Sequence, residues 1–228
     1  MPARYPYYIT PAEARAEQEH LRHRLIRRGN PKRVRYVAGV DCAFPQEGLV
    51  TRGAVAVLAW PTLEYVEHAV VERPTDFPYV PGLLSFREVP TLLAALAKLK
   101  TSPDLLLCDG QGYAHPRRLG FASHLGLASG IPSIGVAKSR LIGTHRQPGR
   151  KAGAHAPLMD GAEVIGAVLR TREGVAPLFI SSGHKVGLDA AVQWVLGCCR
   201  GYRLPETTRW ADGLAGDPDF RVKARGAG

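Results

Sequence analysis

Apolar positions along the chain recur at two spacings, and the switch between them outlines the elements. Residues 10–28, TPAEARAEQEHLRHRLIRR, carry a helical rhythm with Thr10 at the N-cap, Pro11 in the first turn and Glu13 three residues on. Gly29-Asn30-Pro31 ends that helix. Three runs of strand character follow, at 34–44, 49–60 and 63–72, with short connections that predict an antiparallel meander. A loop with three prolines spans 74–82, and Ser85 stands where it can cap a helix over 86–100, with Leu92, Leu93, Leu96 and Leu99 at helical spacing. Then come a strand at 104–108, a helix at 116–129 and a strand at 132–136, a unit whose short turns imply parallel pairing. Residues 144–160, rich in Gly, Pro, His and Arg, read as a mobile basic loop. Strands at 163–170 and 175–180 and a helix at 188–200 complete the pattern, and a flexible tail is expected over 214–228. The class is α/β: a mixed sheet of three antiparallel strands followed by βαβ, helices packed on it, in one domain over 1–213.

Composition narrows this picture. A chain of 228 residues with 45% hydrophobic content can bury one sizeable core, without repeats or a second domain. No apolar run approaches the ~18 residues of a membrane span. The start, MPARYPYYITPAEARAEQ, lacks the basic-then-apolar order of a signal peptide. Cys42, Cys108, Cys198 and Cys199 form no C-x-x-C pair or disulfide array, which points to free thiols in the reducing cytoplasm.

Charge changes the picture more. The net charge of +10 is unevenly spread: residues 110–159 contain no acid, but seven Lys/Arg and four His. An acid-free span of that length suggests one electropositive face that attracts phosphate backbones.

Inside this basic setting the stretch 105–120, LLLCDGQGYAHPRRLG, ends a buried strand on Asp109. It is not a dinucleotide fingerprint, because His115 replaces the third glycine and Asp109 would repel a pyrophosphate. Nor is GIPSIGVAKS a phosphate-binding loop, since Lys138 falls too late after Gly135. A carboxylate beside a phosphate surface makes sense with a divalent cation between them. Asp41, in the apolar strand YVAGVDCAF, then needs a metal, a basic partner or solvent at the sheet's end. Glu88 in the first turn of its helix is either a capping-box acid three residues from Ser85 or a further ligand. Asp212, in TRWAD, is a weaker candidate on its own. Such acids can meet at one sheet edge and hold cations for attack of water on a phosphodiester. Pro78-Tyr79-Val80-Pro81 is either a packed turn or a stiff wedge that fills the gap left by a flipped base. Gly110 and Gly112 allow close backbone approach to such a base. Lys138 and His184-Lys185 follow strand ends where they can meet phosphates, Lys185 being as readily a plain surface charge, and His115 can either contact phosphate or lie near metal.

These blocks, together with FPYVPGLLSFREVP, IGVAKSRL, SSGHKVGL and GYRLPETTRWAD, closely resemble the endonuclease V family, in order, over residues 10–213. The resemblance implies an RNase H-like fold and a Mg²⁺-dependent DNA-repair endonuclease, with Mn²⁺ as a possible substitute. Its expected action is hydrolysis of the second phosphodiester bond 3′ to a deaminated adenine (hypoxanthine in inosine), leaving a 3′-hydroxyl and a 5′-phosphate. It implies that Asp41, Glu88 and Asp109 bind metal and that Pro78, Tyr79, Val80 and Pro81 form a strand-separating wedge. Gly82, Leu83, Gly110 and Gly112 would line the base pocket, with His115 and Lys138 near the scissile phosphate and Asp212 at a late position of variable residue type. The expected partner is inosine-containing DNA or RNA, bound by a monomer with no obligate protein partner. The other reading that the charge allows is a non-catalytic nucleic-acid-binding protein on the same scaffold.

Overall fold

In a computed structural model that describes residues 10–217 and 220, eight strands form one mixed sheet. They are β1 Tyr36–Ala43, β2 Val50–Ala59, β3 Tyr65–Pro74, β4 Leu105–Cys108, β5 Ser133–Ala137, β6 His155–Asp160, β7 Glu163–Leu169 and β8 Leu178–His184. Their spatial order is β3-β2-β1-β4-β5-β8-β7-β6. The expected meander is present as β1–β3, and β1, β4 and β5 lie parallel at the centre. Beyond β5 the strands are antiparallel again.

Helices cover both faces. Leu105 and Leu107 of β4 join Val37, Ile134 and Val136 in a core shared with α4 (Leu188–Gly197) and α5 (Glu206–Gly216). The alternate residues Leu106 and Cys108 join Ala38 and Val40 under α2 (Ser85–Lys98) and α3 (Phe121–Ser129). A strand buried on both faces reads as a continuous apolar run, which is why LLLC shows no alternation.

Several boundaries differ from the sequence expectation, each for a tertiary reason. Helix α1 (Pro11–Leu21) has the capping box foreseen at Thr10 and Glu13, but it stops at Leu21 instead of 28. The segment beyond it runs beside the exit of β8, where the Lys185 N–H donates to the Ile26 carbonyl and the Gly187 N–H to the Gly29 carbonyl. Helix α3 begins at Phe121 rather than 116, because 110–120 folds back on itself: the Gly120 N–H donates to Gly112 O and Arg118 takes a positive φ. Part of the expected basic loop is a strand: β6 pairs with β7, and Pro157 is tolerated because β6 is the sheet's edge. Strand β8 lies further along than 175–180, since the small residues Ser181, Ser182 and Gly183 let neighbouring backbone approach closely.

Helix α5 went unforeseen and runs three residues past the expected domain end at 213; residues 218–219 and 221–228 of the expected tail lie outside the described residues. It is pressed onto β1 where Gly39 faces the Thr207 carbonyl, so that any Cβ at 39 overlaps that oxygen. Gly39→Ala should push α5 off the sheet and cost about 3 kcal/mol, a fall in melting temperature of about 6–12 °C for a chain this size. Gly216→Ala, at the end of the same helix with nothing within 4 Å of the new methyl, is the control and should melt like the wild type. A Gly39→Ala protein with unchanged melting would mean that α5 is not seated on β1.

Candidate active site

Parallel pairing of β1 and β4 sets the centre of the site. Val40 is in register with Cys108, so the next residue of each chain, Asp41 and Asp109, falls abreast at the strands' C-terminal ends. The Asp109 N–H donates to Val40 O at 3.2 Å and fixes that alignment. From α5, Asp212 completes a group in which one carboxylate oxygen from each of Asp41, Asp109 and Asp212 lies within 4.8 Å of the others. Lys138, one residue past β5, places Nζ 2.6 Å from Asp109 Oδ2 and 2.8 Å from Asp212 Oδ1. Glu88, in the first turn of α2, stands behind the group and is buried.

The acids are electrostatically strained. Burial, and then the neighbouring Asp109, lift Asp41 to about 7. Burial, followed by repulsion from Asp41 and Asp109, holds Glu88 well above the ordinary carboxylate range. Burial also raises Asp109, although the Lys138 hydrogen bond opposes it. Burial would lower the Lys138 ammonium, but Asp109 and Asp212 together raise it. One ammonium thus faces several carboxylates, and Asp109 Oδ2 is buried with no well-aligned hydrogen bond beyond that ion pair. An all-oxygen donor set with excess negative charge fits a hard divalent cation such as Mg²⁺ or Mn²⁺.

Glu88 is not a capping-box acid. The α2 N-cap is Leu84 without a side-chain cap, and Ser85 Oγ instead pairs with Nδ1 of buried His124 at 2.9 Å. That pair, with the His124 ring edge-on to Phe86, anchors the start of α2 under the site.

Beside the acids lies a cavity of about 410 Å³ between loop 79–85, loop 109–111 and residues 137–141. Tyr79 stands at its rim, 71% exposed, while Leu83 is fully buried with Ala14, Phe77 and Phe86 and roots the loop from below. Gly82, at φ 77°, turns its carbonyl into the protein, where it accepts from Gln18 Nε2 at 3.0 Å, His115 Nε2 at 3.0 Å and Arg117 Nη2 at 2.9 Å. His115 Nδ1 accepts from the Arg117 N–H, so both ring nitrogens are occupied. Burial, and then Arg117, push its pKa down to about 4, which keeps the ring neutral. His115 therefore braces the loop that carries Gly82.

Most of the residues singled out from sequence converge here, with adjustments. Asp41, Asp109, Lys138 and Glu88 meet, and Asp212 joins the acids more closely than Glu88 does. Tyr79, Val80, Pro81, Gly82 and Gly110 line the cavity. Leu83 lies behind it, Gly112 packs against the Ser182 carbonyl of β8, and Pro78 is exposed just before Tyr79. His184 lies at the opposite end of the sheet, in register with Ser133 at the start of β5, where Nδ1 accepts from the Ile26 N–H. Sequence reasoning missed Gln18, Gln111, Leu84, Leu141 and His124 around the site. Helix α5, which carries Asp212, was missed as well, although Trp210, Ala211, Leu214 and Ala215 stand at helical spacing.

Comparison with known proteins agrees with this geometry. The family model described as Endonuclease V matches residues 19–213. An Endonuclease V of Trichormus variabilis is 55% identical over 212 residues, covering 92% of this chain and 96% of that protein. The crystal structure of the Endonuclease V from Streptomyces avermitilis superposes with a TM-score of 0.88 at 48% identity, over 95% of each chain. That of Ciona intestinalis Endonuclease V, in complex with a 24mer DNA containing an inosine followed by a ribo-adenosine, gives a TM-score of 0.79 at 29% identity, over 90% of this chain and 95% of that one.

Proposed function

The chain belongs to the endonuclease V family and is a nuclease, and we propose that it acts with a divalent cation on strands containing deaminated adenine. The bond hydrolysed is the second phosphodiester 3′ to hypoxanthine, giving a 3′-hydroxyl and a 5′-phosphate, in DNA repair. The observation that carries this reading is the coincidence of three carboxylates within 4.8 Å, a lysine ammonium among them and a rimmed cavity alongside. Family membership sets aside the non-catalytic binder.

Asp41, Asp109 and Asp212 would hold the cation, with Glu88 behind them. When bound, Mg²⁺ or Mn²⁺ supplies Lewis acidity and a more acidic attacking water. The chain's own groups do the rest. Lys138, whose Nζ lies beside Asp109 and Asp212, would stabilise the charge that develops on a phosphate oxygen brought to these acids. Tyr79 fills the gap left in the stack by the extruded base, which enters the cavity against Gly110 and the Gly82 turn. Extrusion costs least for a poorly paired base such as hypoxanthine, and this contributes selectivity. The basic span 110–159 gathers the phosphate backbone, so binding weakens as salt rises. Among the described residues no helix is long and apolar enough to cross a membrane. The reading includes a monomer acting in the cytoplasm.

The test uses end-labelled DNA and RNA strands, each with one inosine, incubated with Mg²⁺, with Mn²⁺ and with chelator. One cut at the second bond 3′ to inosine, dependent on the cation, is the expected product. Cutting at the inosine itself, equal cutting of undamaged strands, or full activity in chelator would refute the reading.

A further inference from the structure

Arg203 links the two segments that carry Lys138 and Asp212, yet sits on neither a strand nor a helix. It lies in the connection between α4 and α5, two residues before Pro205, the N-cap of α5. Its Nη2 donates to the Lys138 carbonyl at 2.7 Å and to the Pro177 carbonyl at 3.1 Å, while Nε donates to the Ala176 carbonyl at 2.9 Å. Its own carbonyl accepts from Thr171 Oγ1 at 2.5 Å, so the residue is held at both ends. Strand β5 ends at Ala137, and the Lys138 carbonyl lies past that last strand residue. The guanidinium takes the place of the missing strand partner.

Resting on the reading of Lys138 as the cation beside the phosphate, we propose that Arg203 is a positioning residue for Lys138. It locks the exit of β5 to the entrances of β8 and α5, and so sets the span across which Nζ lies between Asp109 and Asp212. Three carbonyls from two segments need a planar fork of donors; a lysine ammonium, a compact point charge on a flexible stem, does not reproduce it. Its donors are spent on backbone carbonyls, and a double-mutant cycle separates the part of its effect that passes through Lys138 from the charge that it also presents to Asp109.

The Lys138-dependent part is measured with kcat and KM on an inosine strand in Mg²⁺ for the wild type, Arg203→Ala, Lys138→Ala and the double variant. Arg203→Ala should lower kcat by about 10- to 100-fold, with KM within about twofold of wild type. In the Lys138→Ala background the same change should cost less than about twofold, because the group being positioned is gone. Arg203→Lys should fall between, and it carries the test if the alanine variant does not fold. Equal losses in both backgrounds would make Arg203 a general prop and overturn the proposal. A raised KM at unchanged kcat would make it a substrate contact and overturn it too. Failure of the wild type to cut inosine strands would overturn the functional reading and this role with it.

Discussion

Asp41→Asn is expected to abolish cleavage and, in the metal-free protein at pH 8, to make the fold more stable than the wild type. The two effects have one cause. Burial and Asp109 raise Asp41 to about 7 in the fold, from an ordinary value of 3.8. A carboxyl whose folded pKa is raised binds more protons in the native state, so its stabilising contribution is complete below pH 3.8 and is lost as pH climbs to about 7. At pH 8 that loss amounts to about 2–4 kcal/mol for Asp41, discounted for coupling and incomplete burial. Asparagine removes the charge and keeps an oxygen for the Cys42 N–H, which donates to Asp41 Oδ1 at 2.8 Å.

Buried His115 and His124, with pKa values lowered to about 4 and about 3, act in the opposite sense. They stay neutral in the fold, so their contribution is present above pH 6.5 and falls away as the solution is acidified. Both remain in the variant, and the difference between variant and wild type isolates the acid. Denaturant melts at pH 5 and pH 8, with and without Mg²⁺, make the measurement. The gain should be large at pH 8, small at pH 5, and cancelled for the wild type by Mg²⁺, which binds the folded state. A variant that melts like the wild type at pH 8 in chelator, or that still cuts, would show that Asp41 is not a strained ligand.

How far the site was legible in the sequence depends on which interactions were local. Asp41 and Asp109 each ended or interrupted an apolar run, and parallel pairing of those runs was enough to bring them abreast. The alternatives for Glu88 could not be separated, because the decisive fact is a contact from Ser85 to His124, 39 residues away. Asp212 ranked last for want of α5: Thr207, Thr208 and Gly213 are poor helix formers, and packing on Gly39 overrides them. His184 followed a strand end, as Lys138 does, but β8 runs antiparallel to β5, so the two lie at opposite ends of the sheet. Strand direction, invisible in either motif, decides which of them reaches the acids.

Tyr79→Ala should separate duplex from single-stranded substrates. The ring is 71% exposed, and its one described ring contact is the Arg87 guanidinium at 6.0 Å. Its removal should therefore leave the melting temperature unchanged within error, so that any loss of activity reports what the ring does to substrate. In a duplex the extruded base leaves a gap, and an aromatic ring stacked there recovers about 1–3 kcal/mol per stacking contact. Losing it should lower kcat/KM on inosine in duplex DNA by about 10- to 100-fold. An inosine in a single strand has no partner strand to part from, so the same variant should lose less than about fivefold there. Tyr79→Phe, which keeps the ring, should restore the duplex activity. The comparison turns on the ratio of the two substrates, because a general disturbance of the cavity lowers both alike. Equal losses on duplex and single strand would move Tyr79 from the wedge to the wall of the base pocket, and an unaffected duplex rate would leave the stiff loop without the role its exposure suggests.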